Sequence, residues 1–273
     1  MPAVRASRRG RFRPRHGQHF LTDPSTVRRI LDALGAAGGA VVMEIGSGRG
    51  ALTLPLLERG ARVVAFEIDD RLATTLRTAS AGRPLALYTA DALEVDVGAA
   101  LAMADAMPPV PLVGNLPYES ATPMLRAFVR RRDLFSRLVV MIQKEVADRL
   151  LARPGEAAYG FLTLDVGAHA RARRLFDVPP GAFSPRPRVT SSVVELVPRE
   201  PAAGTDAALT VASAAFSTRR KTLLNCLTPR WGRSRAAAAL ERLGLPPLAR
   251  GEELSLSRFR ELSEALESPS PEG

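Results

Sequence analysis

Short apolar runs, each closed by glycine or an acidic or polar residue, alternate with amphipathic stretches along most of this chain. Val41–Ile45, Arg62–Phe66, Leu85–Tyr88, Val110–Gly114 and Arg137–Ile142 are almost continuously apolar, the pattern of strands covered on both faces. Helix candidates separate them. Asp23 caps one from Pro24 to about Leu34, with proline at its first position and Val27, Ile30, Leu31 and Leu34 on one face. Others span Ala51–Glu58, Ala121–Arg132 and Gln143–Leu151. Leu162–Ala168 alternates apolar and polar positions and predicts a further strand, and Ser192–Val197 predicts the strand that closes the sheet. Strands alternating with helices predict an α/β fold: a parallel sheet with helices on both faces. After the linker Pro198–Gly204 the pattern is helical throughout, which predicts a small all-helical domain over 205–267 following a main domain over 17–198. Residues 268–273 form a polar tail, expected to be disordered, and residues 1–16 a basic arm.

The candidate chemistry clusters where these strands end. Gly46-Ser-Gly-Arg-Gly50 follows the first strand and leads into a helix. Glycines at such a turn let a ligand approach the backbone, and the helix start favours negative charge. The spacing is G-x-G-x-G because position 51 is Ala, so the dinucleotide fingerprint is not met. Glu67 ends the second strand, about 20 residues beyond the glycines, where a carboxylate is placed to hold ribose hydroxyls and repels a 2′-phosphate. Asp91 follows the third strand, placed to accept from an adenine amine. Asn115-Leu-Pro-Tyr118 follows the fourth. Its amide, carbonyls and ring surround one small point, which suits a planar base carrying an exocyclic amine. Pro117 has a fixed φ and no N–H, and it pushes Leu116 toward extended geometry that aims a carbonyl outward. Open α/β sheets bind ligands along this edge.

These segments resemble a known family, the ribosomal RNA adenine N6,N6-dimethyltransferases, and within it the small-subunit type. Seven motifs carry the likeness in order: Gly17-Gln-His-Phe-Leu21, Glu44-Ile-Gly-Ser-Gly-Arg-Gly-Ala-Leu-Thr53, Asn115-Leu-Pro-Tyr118 with Ser120-Ala-Thr-Pro123, Gln143-Lys-Glu-Val146, Tyr159-Gly160, Val178–Val189 and Phe216–Thr222. His19 stands where the pattern often has Asn. The resemblance implies a Rossmann-like class I methyltransferase sheet, S-adenosyl-L-methionine as cofactor, and dimethylation of adenine N6 in small-subunit rRNA, free or in an immature small ribosomal subunit. By the same resemblance His19 and Leu21 cover the cofactor, and Gly46 and Gly48 lie beneath it. Glu67 holds its ribose and Asp91 its adenine amine. Asn115 sits between both ligands and accepts from the target N6. Leu116 or Pro117 offers a second carbonyl, Tyr118 stacks on the target ring, and Phe183 brackets the other side. On the residues alone Phe183, in the proline-rich loop Pro179–Pro187, plugs the core instead. Two related functions stay open: dimethylation of large-subunit rRNA, and nucleic-acid binding without chemistry.

Charge adds a partner class. The net charge is +10, and Arg5, Arg8, Arg9, Arg11, Arg13 and Arg15 lie in an acid-free N-terminal stretch. That distribution suits RNA phosphates, with a non-binding tail as the alternative. Lys144 and Lys221 are the only lysines, so biased codon usage accounts for the preference for arginine but not for the cluster. Arg219, Arg220 and Lys221 form a second basic group, read as an RNA backbone contact or a solvated face. Cys226 is the single cysteine, which excludes an intrachain disulfide and a cysteine-based zinc site; no metal is expected. No apolar run approaches the ~18 residues of a membrane span, and no secretory leader is read at the N-terminus. A cytoplasmic monomer is the expectation.

Overall fold

A computed structural model describes residues 19–36, 38–218 and 221–268. The basic arm, Arg219, Arg220 and the tail after Ser268 lie outside the described residues. The elements run β1 (Phe20–Leu21), α1 (Pro24–Leu34), β2 (Val41–Ile45), α2 (Thr53–Glu58), β3 (Arg62–Glu67), α3 (Asp70–Ala79), β4 (Leu85–Thr89), α4 (Val97–Met103), β5 (Val110–Asn115), α5 (Ala121–Phe128), β6 (Phe135–Gln143), α6 (Lys144–Leu151) and α7 (Phe161–His169). They continue with β7 (Ala170–Val178), β8 (Phe183–Ser184), β9 (Ser191–Pro198), α8 (Thr205–Ala215), α9 (Leu223–Trp231), α10 (Arg233–Arg242) and α11 (Leu256–Glu267). The chain divides into two compact units: one through Ala147 plus Arg173–Pro198, the other Asp148–Ala172 plus Arg199 onward.

The first unit is built on a seven-stranded sheet of order β4-β3-β2-β5-β6-β9-β7. The strands β2–β6 are mutually parallel, and β9 runs antiparallel to β6. Strand order reverses beside β2: β3 and β4 lie on one side, β5 and β6 on the other. The C-terminal ends of β2 and β5 therefore flank a topological switch point, the place where open sheets accept ligands. These two ends come unusually close. A side chain on Gly114 would put its Cβ 2.6 Å from the Ile45 carbonyl oxygen, so only glycine lets β5 lie there. The N-terminal helix α1 forms as its sequence dictates. Asp23 caps it through the Ser25 and Thr26 amides, Gly35 ends it in left-handed geometry, and Val27, Ile30, Leu31 and Leu34 are buried. Their face joins a core with Leu56 of α2 and Val63, Val113 and Met141 of the sheet.

The second unit is helical, with a core made from Leu164, Leu209, Leu223, Leu227, Phe259 and Leu262 among others. Two expectations change here. Leu162–Ala168 is not a strand but part of α7, and the strand beside β9 in the sheet is Ala170–Val178. In α7, Leu162, Leu164, Asp165, Val166, Ala168 and His169 are all buried. A helix covered on most sides loses its 3.6-residue signature and leaves an accidental alternation of two. The helical unit also takes in residues 148–172, whereas the linker-based division begins it at 205. Leu164 and Ala168 of α7 belong to the helical core, with Phe161 packed against it, so packing cuts the chain earlier than composition does.

Candidate active site

The glycine loop after β2 is formed by backbone geometry that ordinary side chains resist. Gly46, Gly48 and Gly50 have φ of +70°, +54° and +84°. The loop is held from beneath by the end of β3: the Gly46 amide donates to the Phe66 carbonyl at 2.9 Å. The Glu67 carboxylate accepts from the Gly48 amide at 2.7 Å and from the Asp69 amide at 2.9 Å. Glu67 is buried, so its two oxygens fix the loop and keep further lone pairs for a hydroxyl-bearing ligand. Beside them Ile68 is 42% exposed, an apolar surface next to a ribose-type acceptor. Asp91, half-buried, accepts from the Leu93 amide at 2.9 Å in the turn after β4.

Two groups at this loop were not singled out from sequence. Glu44 on β2 is buried and accepts from the Thr53 hydroxyl at 2.6 Å. Loss of water raises its carboxyl to about 7, against the Thr53 hydrogen bond, with the Glu67 charge adding to the rise. The Ser47 hydroxyl, in the loop itself, is buried and has no hydrogen-bond partner among the described residues. A buried hydroxyl left unmatched in a native fold calls for a partner, and a polar ligand over the loop supplies one. Its sequence signal is slight, since Ser is common in such turns.

The second half of the site is the corner after β5. Gly46 and Asn115 are adjacent: a Cβ on Gly46 would lie 3.5 Å from the Asn115 carbonyl oxygen. The Asn115 side-chain amide donates to the His19 carbonyl at 3.1 Å. This fixes the amide's sense and leaves its oxygen as an acceptor. Leu116 is buried and its amide donates to the Met141 carbonyl of β6 at 3.0 Å. The Pro117 carbonyl already accepts from the Ser120 amide at 3.0 Å, whereas no backbone bond to the Leu116 carbonyl is formed among the described residues. Tyr118, half-buried, shares a 3.2 Å hydroxyl contact with Ser191 on β9.

A short strap crosses both halves. β1 pairs antiparallel with β8, Phe20 opposite Ser184 and Leu21 opposite Phe183. The His19 ring nitrogen Nδ1 lies 2.8 Å from the Pro185 carbonyl, and its ring centroid is 5.6 Å from that of Tyr118. Phe20 covers the glycine loop, because a Cβ on Gly48 would be 3.4 Å from its ring. The Arg49 guanidinium sits 4.5 Å from the same ring centre. The Leu21 side chain is buried in the core, and the ring over the loop is that of Phe20. Phe183 is only 3% exposed and its ring packs in the same core, as the residues alone predict for it. The Phe183 and Leu21 side chains anchor the strap from below. Lys221 is exposed in the helical unit; Arg219 and Arg220 lie outside the described residues.

Residues 9–267 match the family described as ribosomal RNA adenine dimethylase. The chain belongs to that family. Relatives named ribosomal RNA small subunit methyltransferase A include one from Geobacter sulfurreducens, 41% identical over 94% of this chain and 95% of its own length. Another, from Streptococcus pneumoniae serotype 2, is 40% identical over 93% of this chain and 92% of its own. Among solved structures, a dimethyladenosine transferase from Plasmodium falciparum superposes with a TM-score of 0.74 at 26% identity, covering 89% of this chain and 96% of that one. The 23S rRNA methyltransferase ErmE gives 0.66 at 26% identity, covering 91% and 100%. As a member of the rRNA adenine dimethylase family, the chain is an enzyme of methyl transfer to adenine in ribosomal RNA. Family and fold together imply S-adenosylmethionine as the donor. The residues fit that group: a glycine cradle, a buried carboxylate at its rim and an unmatched Ser47 hydroxyl.

Proposed function

We propose that the enzyme adds two methyl groups to N6 of adenine in small-subunit rRNA during ribosome assembly, in the cytoplasm and as a monomer. The observation that carries the reading is Asn115: its amide is locked by the His19 carbonyl with the oxygen turned free, at a switch point beside the glycine loop. S-adenosylmethionine, held there by Gly46, Gly48, Ser47 and His19, with Glu67 on the ribose hydroxyls, Asp91 on the adenine amine and Ile68 against its ring, supplies an electrophilic methyl on positively charged sulfur.

The chain's own residues align the nucleophile. The target adenine must leave its stack for N6 to reach the corner. Asn115 Oδ1 and the Leu116 carbonyl accept the two N6 hydrogens. Between the two carbonyls of the turn, Leu116 is the better acceptor because Pro117 already serves Ser120. Accepting both hydrogens draws the nitrogen lone pair out of ring conjugation and points it along the transfer axis. The Tyr118 ring supports the base, its tilt limited by the Ser191 contact. With the cofactor bound, Asn115 Oδ1 and the Leu116 carbonyl would hold the nitrogen in line with the donor methyl, and the nitrogen, made acidic once methylated, would give its proton to water. Positioning thus accounts for most of the acceleration, and no strong general base is required. Lys221, with Arg219 and Arg220, serves as an RNA backbone contact in this reading.

The small-subunit target draws support from relatives about 40% identical over more than nine-tenths of the chain, against 26% for the 23S-directed neighbour. Labelled methyl transfer tests it. Undermethylated small subunits are expected to take up two methyls per modified adenine; labelling only of stripped large-subunit RNA would overturn the assignment.

A further inference from the structure

The loop between β8 and β9 carries two guanidinium groups that no part of the site described above uses. Arg186 and Arg188 are both exposed, while Pro187 between them is buried. Two positions apart, their α-carbons lie at most about 7 Å from each other. Neither guanidinium has an ion pair or a side-chain hydrogen bond among the described residues. Both arginines are therefore exposed, close together along the loop, and free of side-chain partners among the described residues.

The loop is fixed at both ends to the target corner. Upstream, Ser184 pairs with Phe20, and the Pro185 carbonyl lies 2.8 Å from His19 Nδ1. Downstream, the Thr190 carbonyl accepts from the Lys144 amide at 2.9 Å, and the Ser191 hydroxyl meets Tyr118 at 3.2 Å. Tyr118 is the ring that supports the base in the functional reading, and the His19 ring lies 5.6 Å from it. Residues 185–190 thus form a tethered rim on that corner, and prolines 185 and 187 restrict their backbone further. A base turned into the corner would carry its flanking phosphates toward this rim. A cation held on a stiff loop loses little freedom on binding, which favours affinity.

We propose that Arg186 and Arg188 form a phosphate clamp that grips the RNA backbone next to the extruded adenine. Each guanidinium donates to phosphate oxygens, holding the strand while Asn115 holds the base. The inference rests on the functional reading above and adds a binding surface to it. The partner is single-stranded RNA backbone, recognised by charge and not by sequence.

The test is salt-dependent binding of the full chain to undermethylated small ribosomal subunits, wild type against Arg186→Gln/Arg188→Gln. Two lost phosphate contacts reduce the slope of log affinity against log salt by about 1.4–1.8. Affinity at 0.15 M salt then falls roughly 15–30-fold, converging on wild type near 1 M. KM rises while kcat and calorimetric S-adenosylmethionine affinity stay at wild-type values, and Arg186→Lys/Arg188→Lys keeps the slope. An unchanged slope in the glutamine pair overturns the clamp. If that pair melts early, the single glutamine variants must each show about half the slope change, and no change in either overturns it as well. A wild-type enzyme that methylates no rRNA defeats the functional reading instead, so the two failures are distinct.

Discussion

Glu44→Gln tests the electrostatics under the glycine loop. Glu44 is 1% exposed, and burial lifts its carboxyl from 4.5 to about 7. In the folded chain it therefore keeps its proton over a range in which the unfolded chain has lost it. The stabilising contribution is complete below about pH 4.5 and disappears as pH rises through about 7. The span of 4.5 to about 7 corresponds to a loss of about 3 kcal/mol across that window, at about 1.4 kcal/mol per pH unit. Glutamine keeps the shape and an oxygen for the Thr53 hydroxyl but does not titrate. The wild-type chain should thus lose stability between pH 5 and pH 8 relative to the variant, by most of that amount, roughly 2–3 kcal/mol. Trp231 lies in the helical unit, so indole fluorescence reads the wrong half of the chain. Amide hydrogen exchange of β2 and β5, corrected for intrinsic rates, reads the right one. A wild-type minus variant difference that stays constant from pH 5 to pH 8 would refute a buried, proton-holding Glu44.

Two further substitutions probe the frame of the site. Gly114→Ala forces a Cβ to within 2.6 Å of the Ile45 carbonyl; because the obstacle is backbone, we expect a cost of about 1–3 kcal/mol and a displaced Asn115, read by denaturant unfolding and by kcat together, with wild-type values in both refuting the close approach. Phe20→Ala uncovers Gly48 and removes the ring beneath Arg49, so calorimetry should show weaker cofactor binding, by about tenfold for ~1.4 kcal/mol of lost cover; equal affinity would take the strap out of the cofactor site.

Much of this architecture was legible because burial and local chemistry agree. The strands β2, β3 and β5 are sheet-interior and read as plain apolar runs. Asp23, Pro24 and Gly35 punctuate α1 as their backbone preferences require. The ends of β2, β3 and β5 carry Gly46, Glu67 and Asn115 at one edge because parallel connection leaves every such end on the same side. Three things were hidden. Helix α7 is buried on most sides and mimics a strand. Strand β7, Ala-Arg-Ala-Arg-Arg-Leu-Phe-Asp-Val, puts so many arginines on a half-exposed edge that it reads as a charge run. The third is long-range: the His19 carbonyl reaching Asn115 across 96 positions, and Phe20 lying over Gly48. A backbone carbonyl leaves no trace in the residue code, and the β1–β8 pairing that aims it joins two-residue strands. Phe183 shows the converse limit, since an aromatic in a proline-rich loop looks the same in sequence whether it faces a ligand or the core.

The central claim is that Asn115 presents an acceptor to the target amine without holding the cofactor in place. Single-turnover methyl transfer into undermethylated small subunits, compared between wild type and Asn115→Ala alongside calorimetric S-adenosylmethionine affinity, tests it directly. The account predicts a transfer rate lower by about 100-fold or more, with cofactor affinity retained. Transfer at the wild-type rate in the alanine variant would contradict it.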